Sequence, residues 1–386
     1  MSSQKRDALR QLAANGTIAD SEIAEQISVG LEGFTKRWEG EILPFIAAGG
    51  SDLRFVVGSY GRGKTHLLRV LSKLANEKGF LTCYTSCGTD AEPFESLEMT
   101  YQAIARNICL RKDGETYLGI HRVLESLDND QIMSLRNSHY VPAPLRNLCR
   151  AYRTFLHDKT IARETKADLC ELLLANKAHR VLFRELFRRT PSLPRPITRI
   201  GKRNAGQWLR GVLSLPKQLG FNGLVVFFDE TGADLHIRGS SRRKRQEHMA
   251  NLRNLIDHMA VGDLPGCSII YGVTHDLLEM AAEDYPALAQ RIERTDIPQM
   301  WEERQPNPRA IWTPLDELTS PTPSSRNFYE SLGERLTTLA KESEMLAKNQ
   351  LEVDQIIAEA AEMAENSAQG DTIRTFVKRV TSQIIC

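Results

Sequence analysis

Eight residues, GSYGRGKT at Gly58–Thr65, satisfy the pattern G-x-x-x-x-G-K-S/T at every fixed position. That spacing suits one task, the cradling of phosphate oxygens. Glycines let the backbone turn sharply and aim its N–H groups inward, and the positive end of a following helix adds to their field. In such a phosphate-binding loop, or Walker A motif, Lys64 reaches the β- and γ-phosphates and Thr65 ligates Mg²⁺. Ser59, Tyr60 and Arg62 fill variable positions between Gly58, Gly61 and Gly63, and His66 follows directly. Gly58–His66 is therefore the candidate nucleotide-binding stretch.

A second constellation lies far along the chain. Five apolar residues, Leu224–Phe228, run into Asp229 and Glu230. This fits a Walker B strand, in which Asp229 holds Mg²⁺ directly or through water and Glu230 orients and polarises the attacking water. Thr274 ends another apolar run, SIIYGVT, and either senses the γ-phosphate or caps the next helix. In YPALAQRIERTD, Arg291 or Arg294 is either a finger that enters a neighbouring subunit's site or an ordinary surface arginine, with Arg291 the preferred finger. Arg374, in GDTIRTFVKRV, is a further candidate contact to the nucleotide. ATP and Mg²⁺ are the expected ligands. The stretch ANKAH near 175 lacks the aspartate of a guanine-reading NKxD, which argues against a GTPase.

These residues need elements to hold them. Phe55–Val57 reads as a buried strand, and Leu67, Leu68, Val70, Leu71 and Leu74 recur at helical spacing, so the loop joins a strand to a helix. Phe80–Ser86 reads as a second strand, and LEMTYQAIARNIC (97–109) as an amphipathic helix. GLVVFFDE (223–230) is the strongest strand, 241–259 a helix with a basic start, CSIIYGV (267–273) another buried strand, and AIWTPLDEL (310–318) a last, more exposed one. Apolar strands alternating with helices imply a parallel sheet covered on both faces, with ligands at the carboxyl ends of its strands. The expected fold is α/β, an AAA+-like P-loop NTPase with a helical insertion and a helical C-terminal lid. Its parts are a helical lead-in (1–50), two core halves (51–110 and 211–320), a helical insertion without strong strands (111–210) and a C-terminal helical region (321–386).

Composition bounds the rest. The 386 residues carry a net charge of +1, so only local patches can bias the partner. Arg242, Arg243, Lys244 and Arg245 form one such patch; Arg184, Arg188, Arg189, Arg195, Arg199, Lys202 and Arg203 form another. Each either binds duplex DNA phosphates, faces an acidic partner or is a solvated face. The seven cysteines are irregularly spaced and read as reduced thiols. A polar N-terminus and the absence of any apolar stretch of about 20 residues point to a cytoplasmic protein without a membrane span.

The phrases FVVGSYGRGKTHLLRVL, YQAIARNI, LGFNGLVVFFDE, YPALAQRI and the lead-in ISVGLEGF resemble the ATP-binding P-loop proteins of BREX-type bacterial anti-phage systems, which are AAA+-like and related to origin-recognition and STAND ATPases. The resemblance spans roughly residues 20–320. It implies ATP binding at Gly58–Thr65, Mg²⁺ at Asp229, a catalytic Glu230 and other defence proteins as partners. The expected activity is ATP hydrolysis by an oligomer acting on DNA or a DNA-bound complex. The alternative is a nucleotide-gated adaptor that recruits a partner with little hydrolysis.

Overall fold

The computed structural model describes residues 2–18, 20–87, 96–176, 178–229, 242–275, 283, 285–294, 310–315, 325–366 and 372–385. Among them, eight strands form one sheet: β1 (Ser51–Val57), β2 (Leu81–Ser86), β3 (Ile108–Lys112), β4 (Glu115–Leu118), β5 (Leu224–Asp229), β6 (Cys267–Val273), β7 (Ile292–Arg294) and β8 (Ala310–Pro314). Their order is β4-β3-β2-β5-β6-β1-β8-β7. The six strands from β2 to β7 run parallel; β3 and β4 form an antiparallel hairpin at one edge.

Two features depart from the sequence reading. The helix over 97–109 stops at Asn107, and Ile108 starts β3, because Asp113 and Gly114 take left-handed conformations that turn a short hairpin. Hairpin strands this short give too little alternation to betray themselves. The segment at 310–314 is not exposed: β8 lies between β1 and β7, and Trp312 and Thr313 are buried.

Both sheet faces are covered, and strand alternation decides which residue faces which layer. Leu53, Phe55, Val57, Val226, Phe228, Ile269 and Tyr271 face one core; Val56, Val225, Phe227 and Ile270 face the other. The second core contains the helices that matter most for the site: α1 (Ser2–Asn15), α2 (Ser21–Gln26) and α3 (Lys64–Glu77), which packs directly on the strands. The first core is covered by α4 (Leu97–Asn107), α5 (Ala143–Leu156), α6 (Arg163–Leu173), α7 (Ala205–Gln218) and α8 (Arg242–Ala260). The C-terminal α9 (Arg326–Glu342), α10 (Gln350–Glu365) and α11 (Thr372–Ile384) return to the second core, where Phe376, Val377 and Val380 join Leu9 and Leu12. First and last helices thus close the same side of the sheet.

On the opposite face an aromatic row crosses four strands. Tyr271 stacks on Phe55 at 5.4 Å and on Phe228 at 5.0 Å, and Trp312 tilts against Phe55 at 6.4 Å. This row fixes the spacing of β5, β6, β1 and β8 beneath their carboxyl ends. Tyr101 ties the outer helices to the core: its ring meets Trp208 edge-on at 5.4 Å and its hydroxyl donates to the Leu173 carbonyl at 2.9 Å. Tyr101→Phe leaves that buried carbonyl without its donor and is expected to lower stability by about 1 kcal/mol, as measured by urea unfolding.

Candidate functional site

Val57 ends β1 and the loop begins at once. The Gly58 N–H donates to the Val273 carbonyl at 3.1 Å, which pins the loop to the carboxyl end of β6. Gly63 has φ +96° and serves as the N-cap of α3. An L residue is strained there, and glycine is not. No side chain caps α3 and no acid sits in its first turn, so its leading N–H groups and positive dipole end face the loop without a competing anion from the helix itself. The Lys64 ammonium donates to the carbonyls of Gly58 at 2.6 Å and Ser59 at 3.0 Å, and lies 5.3 Å from the centre of the Tyr60 ring.

Asp229 ends β5. Phe228 before it faces the first core, so alternation turns the Asp229 side chain to the α3 side. Asp229 is 4% exposed. The Tyr84 hydroxyl, from β2, donates to Asp229 Oδ2, and the Tyr84 ring stacks on Phe227 at 6.2 Å. On its other side, the Arg69 guanidinium of α3 lies 3.3 Å from the Tyr84 ring centre. A cation over the ring draws density from the phenol and strengthens its O–H as a donor. Tyr84 therefore fixes one carboxylate oxygen of Asp229.

Tyr60, Gly61, Arg62, Gly63, Lys64, Thr65, His66 and Asp229 line a single cleft. Its other end is apolar and comes from both chain termini: Leu12, Ile18, Ile27 and Val29 from the beginning, Phe328, Leu332 and Val377 from the C-terminal helices. Arg374 lines the same cleft, and its Nε donates to the Asn15 carbonyl at 3.1 Å. Gly16 makes this junction possible: it has φ +65°, and a Cβ there would lie 2.6 Å from the Arg374 carbonyl oxygen. One charged end and one apolar end match a phosphate chain and a base. Among the described residues no cluster of three His, Cys, Asp or Glu side chains is poised for a metal. A nucleotide-bound Mg²⁺ needs no such cage, since phosphates and water complete its shell; the hard oxygens of Thr65 and Asp229, lining one cleft, fit that ion.

Other expected residues fall elsewhere. Glu230 lies outside the described residues. Thr274 follows β6 at the same end of the sheet but does not line the cleft. Arg291 is away from it: Nε meets Asp257 Oδ1 at 2.5 Å and Nη1 the Ala287 carbonyl at 2.6 Å, and Arg253 reaches the same Asp257 at 3.2 Å. Arg242 and Arg243 are exposed at the start of α8, and Arg245 is half-buried. The second basic patch is largely spent within the chain. Arg188 pairs with Glu185 and Arg189 with Asp168, Arg195 covers the Phe187 ring, and Arg199 donates to the Asn176 and His179 carbonyls. The six described cysteines form no disulfide with one another, and burial pushes the Cys83 and Cys149 thiols up to about 12. Tyr84, Arg69 and the apolar lining carried no local sequence signal; only the topology gathers them.

The chain matches the family described as BREX system ATP-binding protein BrxC/D over residues 2–127 and 197–384. It belongs to that family. The matched residues include the whole Gly58–His66 stretch, Asp229, Glu230 and Arg374, and the break at 128–196 contains α5 and α6. No curated protein and no solved structure matches the chain. No helix among the described residues is long and apolar enough to cross a membrane.

His66 gives this site an acid sensitivity. Its Nε2 lies 3.2 Å from Ser28 Oγ, and burial, then the positive charge of Arg335, lower its pKa to about 4 from the usual 6.5. Between those values the unfolded chain binds a proton that the folded chain refuses, so stability falls as pH drops from about 6.5 toward 4, with a slope of up to about 1.4 kcal/mol per pH unit. His66→Gln is expected to flatten that part of the profile; thermal unfolding of both proteins at pH 7.5, 6 and 5 measures the difference.

Proposed function

We propose that the chain is a Mg²⁺-dependent ATPase of the P-loop class, serving a BREX-type anti-phage system as an oligomer on DNA or a DNA-bound complex. One observation carries this reading: Asp229 lines the same cleft as the Tyr60–His66 loop, although β6 stands between β1 and β5. An interposed strand with a carboxylate at the tip of the next is the sheet order expected of the additional-strand, catalytic-glutamate ATPases. The family match supports ATP as the nucleotide.

In this mechanism Lys64 leaves the Gly58 and Ser59 carbonyls for phosphate oxygens, which accept its charge more strongly than neutral carbonyls do. The α3 N-terminus holds the same phosphates. Thr65 and Asp229 would hold the metal, which would neutralise phosphate charge. Tyr84 keeps Asp229 in one rotamer. Glu230, next in sequence, is the residue assigned to orient the lytic water. Arg374 closes the cleft from α11, and the apolar pocket of both termini takes the base. Arg291 is the finger for a neighbouring subunit, and Arg242, Arg243, Lys244 and Arg245 are the basic patch offered to duplex DNA.

Steady-state hydrolysis with and without duplex DNA tests the reading. Lys64→Ala is expected to lose ATP binding. Glu230→Gln is expected to keep ATP and to lower turnover at least about a hundredfold; undiminished turnover would sink the assignment. Tight ATP binding without turnover in the wild type would instead favour the adaptor. Tyr84→Phe removes the donor to Asp229 Oδ2 and is expected to raise the Mg²⁺ concentration for half-maximal turnover about tenfold, while Mg²⁺-free nucleotide binding stays unchanged.

A further inference from the structure

A second cavity lies behind α3, on the far side of Arg69 and Tyr84 from the nucleotide cleft. It has a volume of about 530 Å³ and is walled by α1, the start of α2, α3, β2 and the β3–β4 hairpin. Clefts of about 300–1,000 Å³ are the size that takes small molecules, so this recess suits a small ligand better than a flat protein face.

Its lining carries two cations and two carboxylates that do not pair with one another among the described residues. Two arginines line it, Arg69 from α3 and Arg111 from β3. Neither pairs with a carboxylate among the described residues, and Arg69 Nε is buried without a hydrogen-bond partner. Two acids also line it, but each is engaged. Asp7 meets Arg10 at 3.3 Å, while Asp20 accepts from Gln4 at 2.6 Å and from the backbone N–H groups of Glu22 and Ile23, capping α2. The two guanidinium groups are left without a carboxylate partner among the described residues in a polar recess, with Arg111 beside the Cys109 thiol. Guanidinium presents donors in a planar fork that matches carboxylate and phosphate oxygens.

We propose that this cavity is a second oxyanion site, separate from the phosphate-binding loop, that takes a small phosphorylated molecule with Arg69 and Arg111 as its charged anchors. The site shares a wall with the nucleotide cleft. A ligand on Arg69 touches the group that lies against Tyr84, and Tyr84 holds Asp229. That link to Asp229 rests on the nucleotide reading; binding in the cavity does not.

Pyrophosphate, titrated calorimetrically without Mg²⁺ into the full chain carrying Lys64→Ala, tests the proposal with the phosphate-binding loop disabled. One binding event is expected. Adding Arg69→Met or Arg111→Met is expected to weaken it at least tenfold. Arg111 is exposed on a short edge hairpin, so its replacement leaves the cores intact, and the melting temperature of each variant verifies folding. Absence of binding to the Lys64→Ala chain, or an affinity in the double variants equal to that of the Lys64→Ala chain, overturns the site. Failure of ATP to bind the wild-type chain in a parallel titration would count against the nucleotide reading and leave this one standing.

Discussion

The site depends on the register of three neighbouring parallel strands. Val56 lies opposite Gly272, and Phe228 opposite Tyr271, so Asp229 comes level with Gly272 and with Val56, two residues before the loop begins. Gly272 must stay small for this to hold. A Cβ there would lie 3.2 Å from Leu68 Cδ1 on α3 and 3.5 Å from Asp229 Oδ1. The gap in β6 therefore lets α3 settle against the sheet and lets Asp229 stand beside it. The Gly58–Val273 hydrogen bond then fixes where the loop leaves the sheet. On the opposite face the stacked rings of Phe228, Tyr271 and Phe55 hold the same three strands in line. A slip of one residue would turn Asp229 toward that aromatic row and Phe228 toward the cleft.

The second constraint is closure by the chain's two ends. The apolar half of the cleft belongs to neither terminus alone. Arg374 from α11 holds the Asn15 carbonyl at the end of α1, and the α1–α11 contact is sealed by Leu9, Leu12, Phe376 and Val380. Arg6 reaches the Ser343 carbonyl and Lys5 reaches Glu342, so α1 is also fastened to the end of α9. Binding that draws on both ends couples the cleft to the relative position of α1 and α9–α11. A ligand filling the apolar half would touch helices whose contacts lie 337 to 359 residues apart in sequence.

The loop, Asp229 and the strands that carry them were legible because each is local. The loop is defined by fixed spacing, and Leu224–Phe228 is apolar on both faces, as a buried parallel strand must be. Arg374 shares an amphipathic helix with Lys378 and Arg379, and it is the one of the three that lines the cleft. Tyr84 was not legible. A tyrosine in a strand is ordinary, and its role exists only because β2 pairs with β5, a pairing across more than 130 residues. The Ile108–Lys112 strand was hidden for a different reason. It follows α4 without a linker, so helical periodicity seemed to run on through apolar residues that in fact alternate across a hairpin.

The basic segment at 183–203 illustrates how sequence charge misleads. Read as a string, it offers seven cations to a phosphate backbone. Folded, four of them are committed to Glu185, Asp168, the Phe187 ring and backbone carbonyls. Their task is to hold short, proline-interrupted segments onto α6 and its neighbours, since Asp168 anchors both Arg189 and His179. Drawing these arginines to DNA would leave Asp168, which is largely buried, without one of its partners, a cost that offsets the attraction. Arg242 and Arg243 stand exposed at the start of a helix that packs against β1. A phosphate contact at that helix is placed to act on the strand that ends in the loop, whereas one at 183–203 would have to work through elements that the family match leaves out.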